Sequence, residues 1–582
     1  MTKMKGTSKP SKSKVSKPSK NSLVSSWFAT HFQWLTIGIL SIAVITRIFF
    51  GLEMPKMPVS ELHHAKDLDM QFFDAWGERI AQGDIWTDTI WHPFHTWHME
   101  LAKGYGIQDE TEAKVKWGEW YGGKTYHQEP LYPLFIGAAK AVSNHGRELV
   151  YVLQMLLSVL SVWMIIWLGR HYFHAMAGIL GGLVFTFYAP ALIFDASLLR
   201  TSFSTTLFLG YLVIAEKLMQ GRSKPWIMGL LGGIGYLLMT TSILLWLPLV
   251  IRWLYCRRED LRRAWQTVAC FGLVLSFLVI RNSITGSPLL SSSSVGPITY
   301  ILSNFKEFKP ELGFVWFQQA GRMLEQSHGH MTSALMLMID QNGSLLNWMG
   351  LQLKKFAFVF HWYEIPNNIN TYLATVFSTT LKFLFIPYSF IAALGVTGLL
   401  LQIKNKKTIN LNIGILSQVA VMVIFYVLCR FRVPMTAMLC VYAGYTLYHL
   451  FSGPPAWRKG AVLVGSLAIW LVIMRPSPYI GATYARGDLA TMFHAYYLPK
   501  LEKLRAEQKI SECIALFESF IETMPDYVRD ESKWKTLKTT TEKDVVYYYG
   551  LLYGDLASLY DEIGNTVKAE ECRTIEKRMS SL

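Results

Sequence analysis

Charge is what this sequence has little of. Only 17% of its 582 residues are Asp, Glu, Lys or Arg, where soluble domains carry about 25%. An ordinary soluble enzyme, a coiled coil and a disordered chain are thereby excluded. Acids are the scarcer sign, 41 against 56 bases, for a net charge of +15. Cysteine is sparse, with 6 residues. Cys256, Cys270, Cys429 and Cys440 fall in or beside apolar runs without metal-ligand spacing and read as packing residues. Cys513 and Cys572 lie where a disulfide is admissible, since oxidising compartments permit one. Residues 1–33 have no acid and no hydrophobic period, but seven lysines among Ser, Pro and Thr. They read as a disordered basic tail.

What is abundant is hydrophobic residues, 51% of the chain. Trp34 to Leu52 is nearly all apolar and long enough to cross a bilayer core, which needs roughly 20 helical residues. Its length, Arg47 and the lack of a small-residue cleavage site make it a retained first helix rather than a signal peptide. Further runs follow at 151–168, 175–193, 201–219, 226–253, 264–280, 376–402, 411–428, 433–450 and 459–475. Thr240-Thr241-Ser242 interrupts the 226–253 run, which therefore reads as a hairpin of two short helices. The total is about eleven crossings. Basic clusters at the tail, Arg170 to His174, Arg222 to Lys224, Arg252 to Arg263, Lys404 to Lys407 and Arg458-Lys459 all fall on one side. Short basic loops are cytoplasmic, so the N-terminus is placed inside and the C-terminus outside. The net charge is a topology signal, not a nucleic-acid footprint.

The expected organisation is a tail over 1–33, a membrane domain over 34–475 with external loops at 53–150 and 282–375, and an external domain over 476–582. In the last, Tyr497, Cys513, Phe517 and Pro525, then Tyr553, Ala557, Tyr560, Gly564 and Ala569, fit tetratricopeptide spacing. Two such units are too few to stand alone, so this part is expected to dock on the membrane body.

Chemistry-bearing side chains gather at the outer ends of the runs. Asp67 and Asp69 precede an amphipathic stretch with Phe72, Phe73, Trp76 and Ile80 at helical spacing, and Asp69 is either an N-cap or a functional group. Asp195 lies at the outer end of the third run, where a carboxylate near hydrocarbon is a functional candidate or the ion-pair partner of Arg200. His127 and Glu129 have metal-capable side chains without a second pair at recognised spacing. His92, His95 and His98 share a face if their stretch is helical. Arg281, Glu364, Arg430 and Arg432 follow. A guanidinium suits a lipid phosphate because its fork binds two oxygens and it stays charged, although snorkelling is the bland alternative.

In this order the pieces resemble a GT-C glycosyltransferase of the bacterial family 39-like branch with C-terminal tetratricopeptide repeats. The resemblance rests on Asp69 with Phe73, Trp76, Ala81, Gly83 and Asp84; Pro130-Leu131-Tyr132-Pro133; Asp195 with Leu198 to Ser202; Arg281-Asn282; Glu364 to Asn368; and Arg430-Phe431-Arg432. It implies an all-α polytopic membrane protein, a transmembrane bundle with external juxtamembrane helices and a helical repeat domain. It also implies transfer of a sugar from a polyprenyl-phosphate donor to an acceptor hydroxyl, with inversion, at the outer face of a bacterial inner membrane. Asp69 would then be the catalytic carboxylate and Asp195 its support. Arg281, Arg430 and Arg432 would hold the lipid phosphate, with Lys124 replacing a Lys that relatives carry before Pro-Leu-Tyr. Asp67, His127, Glu129 and Glu364 are left as supporting residues for a metal or the acceptor. Charge growing on the phosphate needs fixed Arg residues or a divalent cation. The acceptor, or a partner met through residues 476–582, is a protein or a glycan. A transporter or flippase of lipid-linked sugars is the alternative; it predicts inverted repeats, which the sequence does not show. A scaffold would leave Asp69 and Asp195 unexplained.

Overall fold

The computed structural model describes residues 27–87, 96–104, 106–120, 124–310, 317–452, 456–477, 480 and 483–582. Most of the basic tail, residues 1–26, lies outside them. Among the described residues there are helices and turns but no strand, only two isolated bridges, Tyr188 with Phe385 and Asn367 with Ile369.

The main helices are α1 (Phe32–Glu53), α2 (Asp69–Ala81), α3 (Leu131–Val142), α4 (Gly146–Tyr172), α5 (Ala175–Thr186), α6 (Ala189–Asp195), α7 (Thr201–Met219), α8 (Pro225–Leu238), α9 (Ile243–Cys256) and α10 (Ala264–Thr285). After the second loop come α11 (Leu345–Val359), α12 (Tyr388–Leu401), α13 (Ile409–Ile424), α14 (Cys429–Ser452) and α15 (Ala456–Ile473). Five segments are long and apolar enough to cross a membrane: Phe32–Lys56, Gly146–Tyr172, Arg258–Thr285, Lys406–Ile424 and Ala456–Ile473. Trp34, Phe49, Leu273, Leu463 and Leu471 are all more than half exposed on them. Apolar helix faces left open in this way belong against lipid, because a helix satisfies its own backbone and only its side chains need an apolar solvent. In contrast α7, which carries hydroxyls, and α14, which carries Arg430 and Arg432, are buried along most of their length and form the interior of the bundle.

The apolar runs and the helices differ where proline intervenes. The 175–193 run is two helices, since Tyr188 turns extended and Pro190 starts α6. Likewise only the end of the 376–402 run is a long helix: Pro387 sits ahead of α12, and short helices occupy Thr371–Val376 and Thr379–Phe383. Proline lacks the N–H that an uninterrupted helix requires. The run at 226–253 divides as its Thr-Thr-Ser suggests, with a 3-10 turn at Thr240–Ser242 between α8 and α9. Finally α14 begins at Cys429, so Arg430 and Arg432 lie in its first turn instead of before it.

The two loops share a core of their own, where Leu101 and Trp117 of the first meet Ile301, Phe305, Leu324 and Met338 of the second. Residues 483–582 form two helical hairpins, α16 (Leu498–Ala506) with α17 (Ile510–Ile521) and α18 (Thr540–Glu562) with α19 (Thr566–Ser580). They pack on the membrane body: the Tyr496 hydroxyl donates to the Lys56 carbonyl at 3.1 Å, and Asn370 donates to the Thr483 carbonyl and Asp488, both at 3.0 Å. Cys513 and Cys572 are free and buried, not disulfide-bonded.

Helix α14 approaches α5 backbone to backbone. A Cβ on Gly444 would lie 2.1 Å from the Ala177 carbonyl oxygen, and one on Gly181 would lie 2.6 Å from that of Cys440. Gly444→Ala should therefore push the helices apart and cost about 1–3 kcal/mol. A lowered melting temperature of the purified protein in detergent checks this; an unchanged one would show that the pair tolerates separation.

Candidate active site

Helix α2 starts where Leu68 leaves the extended region, and Leu68 occupies the cap position without a side-chain bond. Asp69 is thus the first helical residue and not the N-cap. Phe72, Phe73 and Trp76 are buried behind it, which fixes the helix and points its first turn at the second loop and α14. The Asp69 N–H donates to Asn368 Oδ1 at 2.7 Å, and Asn368 Nδ2 donates back to Asp69 Oδ2 at 3.0 Å. Asn368 is at φ 64°, a left-handed conformation that asparagine tolerates better than most side chains. Gln128 Nε2 donates to Asp69 Oδ1 at 3.1 Å, and Arg430 Nη1 pairs with Oδ2 at 2.7 Å. Residues 69, 128, 368 and 430 therefore converge on one carboxylate that stays partly open to solvent.

A second ion pair lies nearby. Glu129 pairs with Arg200, while its Oε1 accepts from the Thr240 N–H at 2.9 Å and hydroxyl at 3.0 Å. Arg200 Nη1 also donates to the Leu238 carbonyl at 2.9 Å. Burial pushes the Glu129 carboxyl up, but Arg200 and the Thr240 bonds outweigh it and hold the group below its ordinary value. This pairing corrects the ion-pair alternative for Asp195. The partner of Asp195 is Arg47, at 3.3 Å, with Ser202 donating to Oδ1 at 2.7 Å. Gln154 then pins the carbonyls of Asp195 and Ser197, at 2.9 and 2.8 Å. Asp195 is 1% exposed and holds the turn that presents Arg200.

Between α7, α13 and α14 a cleft opens, with about 390 Å³ of free space including its mouth. Arg200 and Arg430 line it together with Thr201, Ser204, Phe208 and Gln418. Two guanidiniums share the cleft while their carboxylate partners belong to the first loop and α2. Such a site suits an anion with an apolar extension.

The other candidates are placed differently. Arg281 is 1% exposed and donates to the carbonyls of Trp86 and Thr87, at 3.0 and 2.6 Å, with its guanidinium 3.9 Å above the Tyr126 ring. Arg432 is fully buried, donating to the Tyr363 and Phe358 carbonyls at 2.9 Å and pairing with Glu364 at 3.2 Å. Both guanidiniums hold the loops onto the bundle, and of the three arginines expected to hold a lipid phosphate only Arg430 lines the cleft. Glu364 also accepts from the Tyr188 hydroxyl at 2.5 Å, and burial raises its carboxyl above the ordinary range despite Arg432. Lys124 and Asp67 are exposed. His127 packs edge-on against Phe72, and His98 lies against Trp117 with the two rings tilted; His92 and His95 lie outside the described residues.

A divalent cation fits these donors poorly. Both oxygens of Glu129 are already engaged, and Asp69 already carries Arg430, a positive charge where a metal would sit. One described cluster has ligand spacing, Glu61 with His63 and His64. There the Arg147 guanidinium abuts His63 Nε2 and would repel a cation.

Gln128, Arg200, Asn368 and Gln418 are the contributors not read as site residues in the sequence. Arg200 stood beside Asp195 and was paired with it by proximity, and Gln418 is one polar letter in an apolar run. Its presence at membrane depth was the available signal.

Residues 127–282, roughly a quarter of the chain, match the family model described as dolichyl-phosphate-mannose-protein mannosyltransferase. No curated protein and no solved structure matches. The matched stretch includes Gln128, Glu129, Asp195, Arg200 and Arg281, so it covers one wall of the cleft.

Because its folded-state value is lowered, Glu129 adds stability that is complete above its unfolded value and is lost as pH falls through the folded one. Glu129→Gln should cost of order 3 kcal/mol at pH 7, by leaving Arg200 unpaired. It should also flatten part of the decline of the melting temperature below about pH 4.5. Melting curves of both proteins from pH 3.5 to 7 decide this, and parallel curves would contradict it.

Proposed function

We propose that this chain, a membrane glycosyltransferase of the GT-C superfamily whose donors are polyprenyl-phosphate sugars, transfers the sugar with inversion to an acceptor hydroxyl at the outer face, with Asp69 as base. The observation that carries this reading is the Arg430–Asp69 pair at the mouth of a cleft shared with Arg200. It sets a proton acceptor next to an anion site, the two groups that displacement of a phosphate by a hydroxyl requires.

The reaction then proceeds as follows. The donor phosphate enters the cleft and competes for the guanidiniums of Arg430 and Arg200. As Arg430 turns to the phosphate, Asp69 Oδ2 loses its counter-charge and becomes more basic. Gln128 and Asn368 keep the carboxylate in place. The acceptor oxygen attacks the anomeric carbon from the side opposite the phosphate; its proton passes to Asp69. The bond from the anomeric carbon to the phosphate oxygen breaks, and its electron pair leaves on the phosphate facing the two arginines. Low surrounding dielectric strengthens both interactions. Asp195 acts at one remove, through the turn that carries Arg200.

The outer face is assigned from the basic loops. Asp69, Glu129, Asp195, Thr240, Glu364 and Arg430 lie at loops or helix ends that alternate with those basic clusters along the chain, which favours one site on the side away from them. The acceptor class we favour is a protein or glycan that reaches the site beside residues 476–582.

Purified protein in detergent, given a panel of radiolabelled polyprenyl-phosphate sugars, should transfer or release sugar. Asp69→Asn should lower that rate by at least about 10²-fold while still binding donor, since its Arg430 is freed for the phosphate. Full turnover by Asp69→Asn would remove it as the base. Donor binding without turnover in the wild type, with any acceptor extract, would favour a carrier of lipid-linked sugars instead.

A further inference from the structure

Gln418 is 5% exposed on α13, six residues before the helix ends at Ile424. That places it about 9 Å of helix rise inward from the outer end. It lines the cleft of Arg200 and Arg430, and among the described residues its amide has no hydrogen-bond partner. Facing the cleft without a protein partner, the amide is free for whatever enters, and an apolar side chain in its place would break no bond of the folded state.

Of the hydroxyls in the cleft, Thr201 stands at the outer end of α7 beside Arg200, and Ser204 lies one turn further in. The Ser204 hydroxyl donates to the Thr201 carbonyl at 2.9 Å, so its proton is committed. Phe208 and Pro434 close the inner end with apolar surface. From the mouth inward the cleft therefore presents two guanidiniums with the Thr201 hydroxyl beside them, then the Gln418 amide, then hydrocarbon. That order matches a phosphate attached to an isoprenoid chain, provided the phosphate sits inside the cleft and not on its rim.

We propose that Gln418 binds the donor lipid: its amide donates a hydrogen bond to a phosphate oxygen facing the bilayer interior, opposite Arg200 and Arg430. This rests on the donor class proposed above. Gln418 then distinguishes a polyprenyl phosphate from a polyprenol of the same length, and it acts in binding and not in proton transfer.

The test is binding of a radiolabelled short-chain polyprenyl monophosphate, and of the matching polyprenol, to the full-length protein in detergent. The wild type should prefer the phosphate. Gln418→Leu and the near-isosteric Gln418→Met should bind the phosphate about tenfold more weakly, as expected for one lost hydrogen bond to a charged group, and the polyprenol unchanged. Gln418→Asn should fall between them and the wild type. The Leu and Met variants should melt no lower than wild type, since no folded-state bond is lost. With sugar-loaded donor their KM should rise roughly tenfold with little change in kcat. Equal phosphate binding by Leu, Met and wild type would overturn this inference and leave the proposed function standing. Lower melting in both variants would likewise overturn it, by assigning Gln418 to the core. A wild type with no preference for phosphate over polyprenol would instead overturn the donor reading, and this inference with it.

Discussion

The salt bridge between Asp69 and Arg430 joins parts of the chain that are 361 positions apart in number, and the geometry of the site follows from it. One partner starts α2 in the first loop; the other stands in the first turn of α14, a helix buried along most of its length. Exposed pairs of this kind are worth little. This one is partly buried and backed by Gln128 and Asn368, so it fixes the registry of the first loop against the bundle. Glu129 with Arg200 and Glu364 with Arg432 repeat the arrangement at two further points. In each, a loop carboxylate meets an arginine that a helix end carries. A cation that a membrane helix cannot bury alone thus becomes the anchor for a loop.

Buried pairs are specific because breaking them is costly, not because forming them is favourable. Arg47 and Asp195 show this deeper in the bundle, with Ser158 accepting from Arg47 at 2.6 Å and Ser202 donating to Asp195. A one-helix shift of α1 against α4 and α7 would strand both charges in hydrocarbon. The glycine contacts between α5 and α14 add the complementary constraint: the helices fit at one separation only.

The helical, membrane-embedded class was legible in the sequence, since hydropathy registers directly the cost of burying polar groups in lipid. Asp69 stood out as an acid at the start of an amphipathic helix, and the structure surrounds it with Gln128, Asn368 and Arg430. What the sequence could not convey was which arginine meets which acid. Arg281 and Arg432 look the same on paper as Arg430, yet they are consumed by backbone carbonyls and by Glu364. Nearness in sequence suggested Arg200 for Asp195, whereas the fold supplies Arg47 from the first helix and gives Arg200 to Glu129. Pairing is a property of the tertiary arrangement, and a single sequence carries little of it. Helix ends at Tyr188 and Pro387 were obscured for a simpler reason: apolar character continues through a turn that is itself buried.

Helices α8 and α9 have 14 residues each and so are about 21 Å long, against a hydrocarbon core of about 30 Å. They meet at Thr240, the residue that binds Glu129 beside Arg200. A bilayer touching this hairpin must thin or dip to avoid hydrophobic mismatch. The headgroup layer is thereby drawn down toward the arginines, and on the donor reading proposed above a lipid phosphate would reach them without its tail leaving the leaflet. Membrane thickness, set by the surrounding lipid composition, becomes a variable in how readily the cleft is filled.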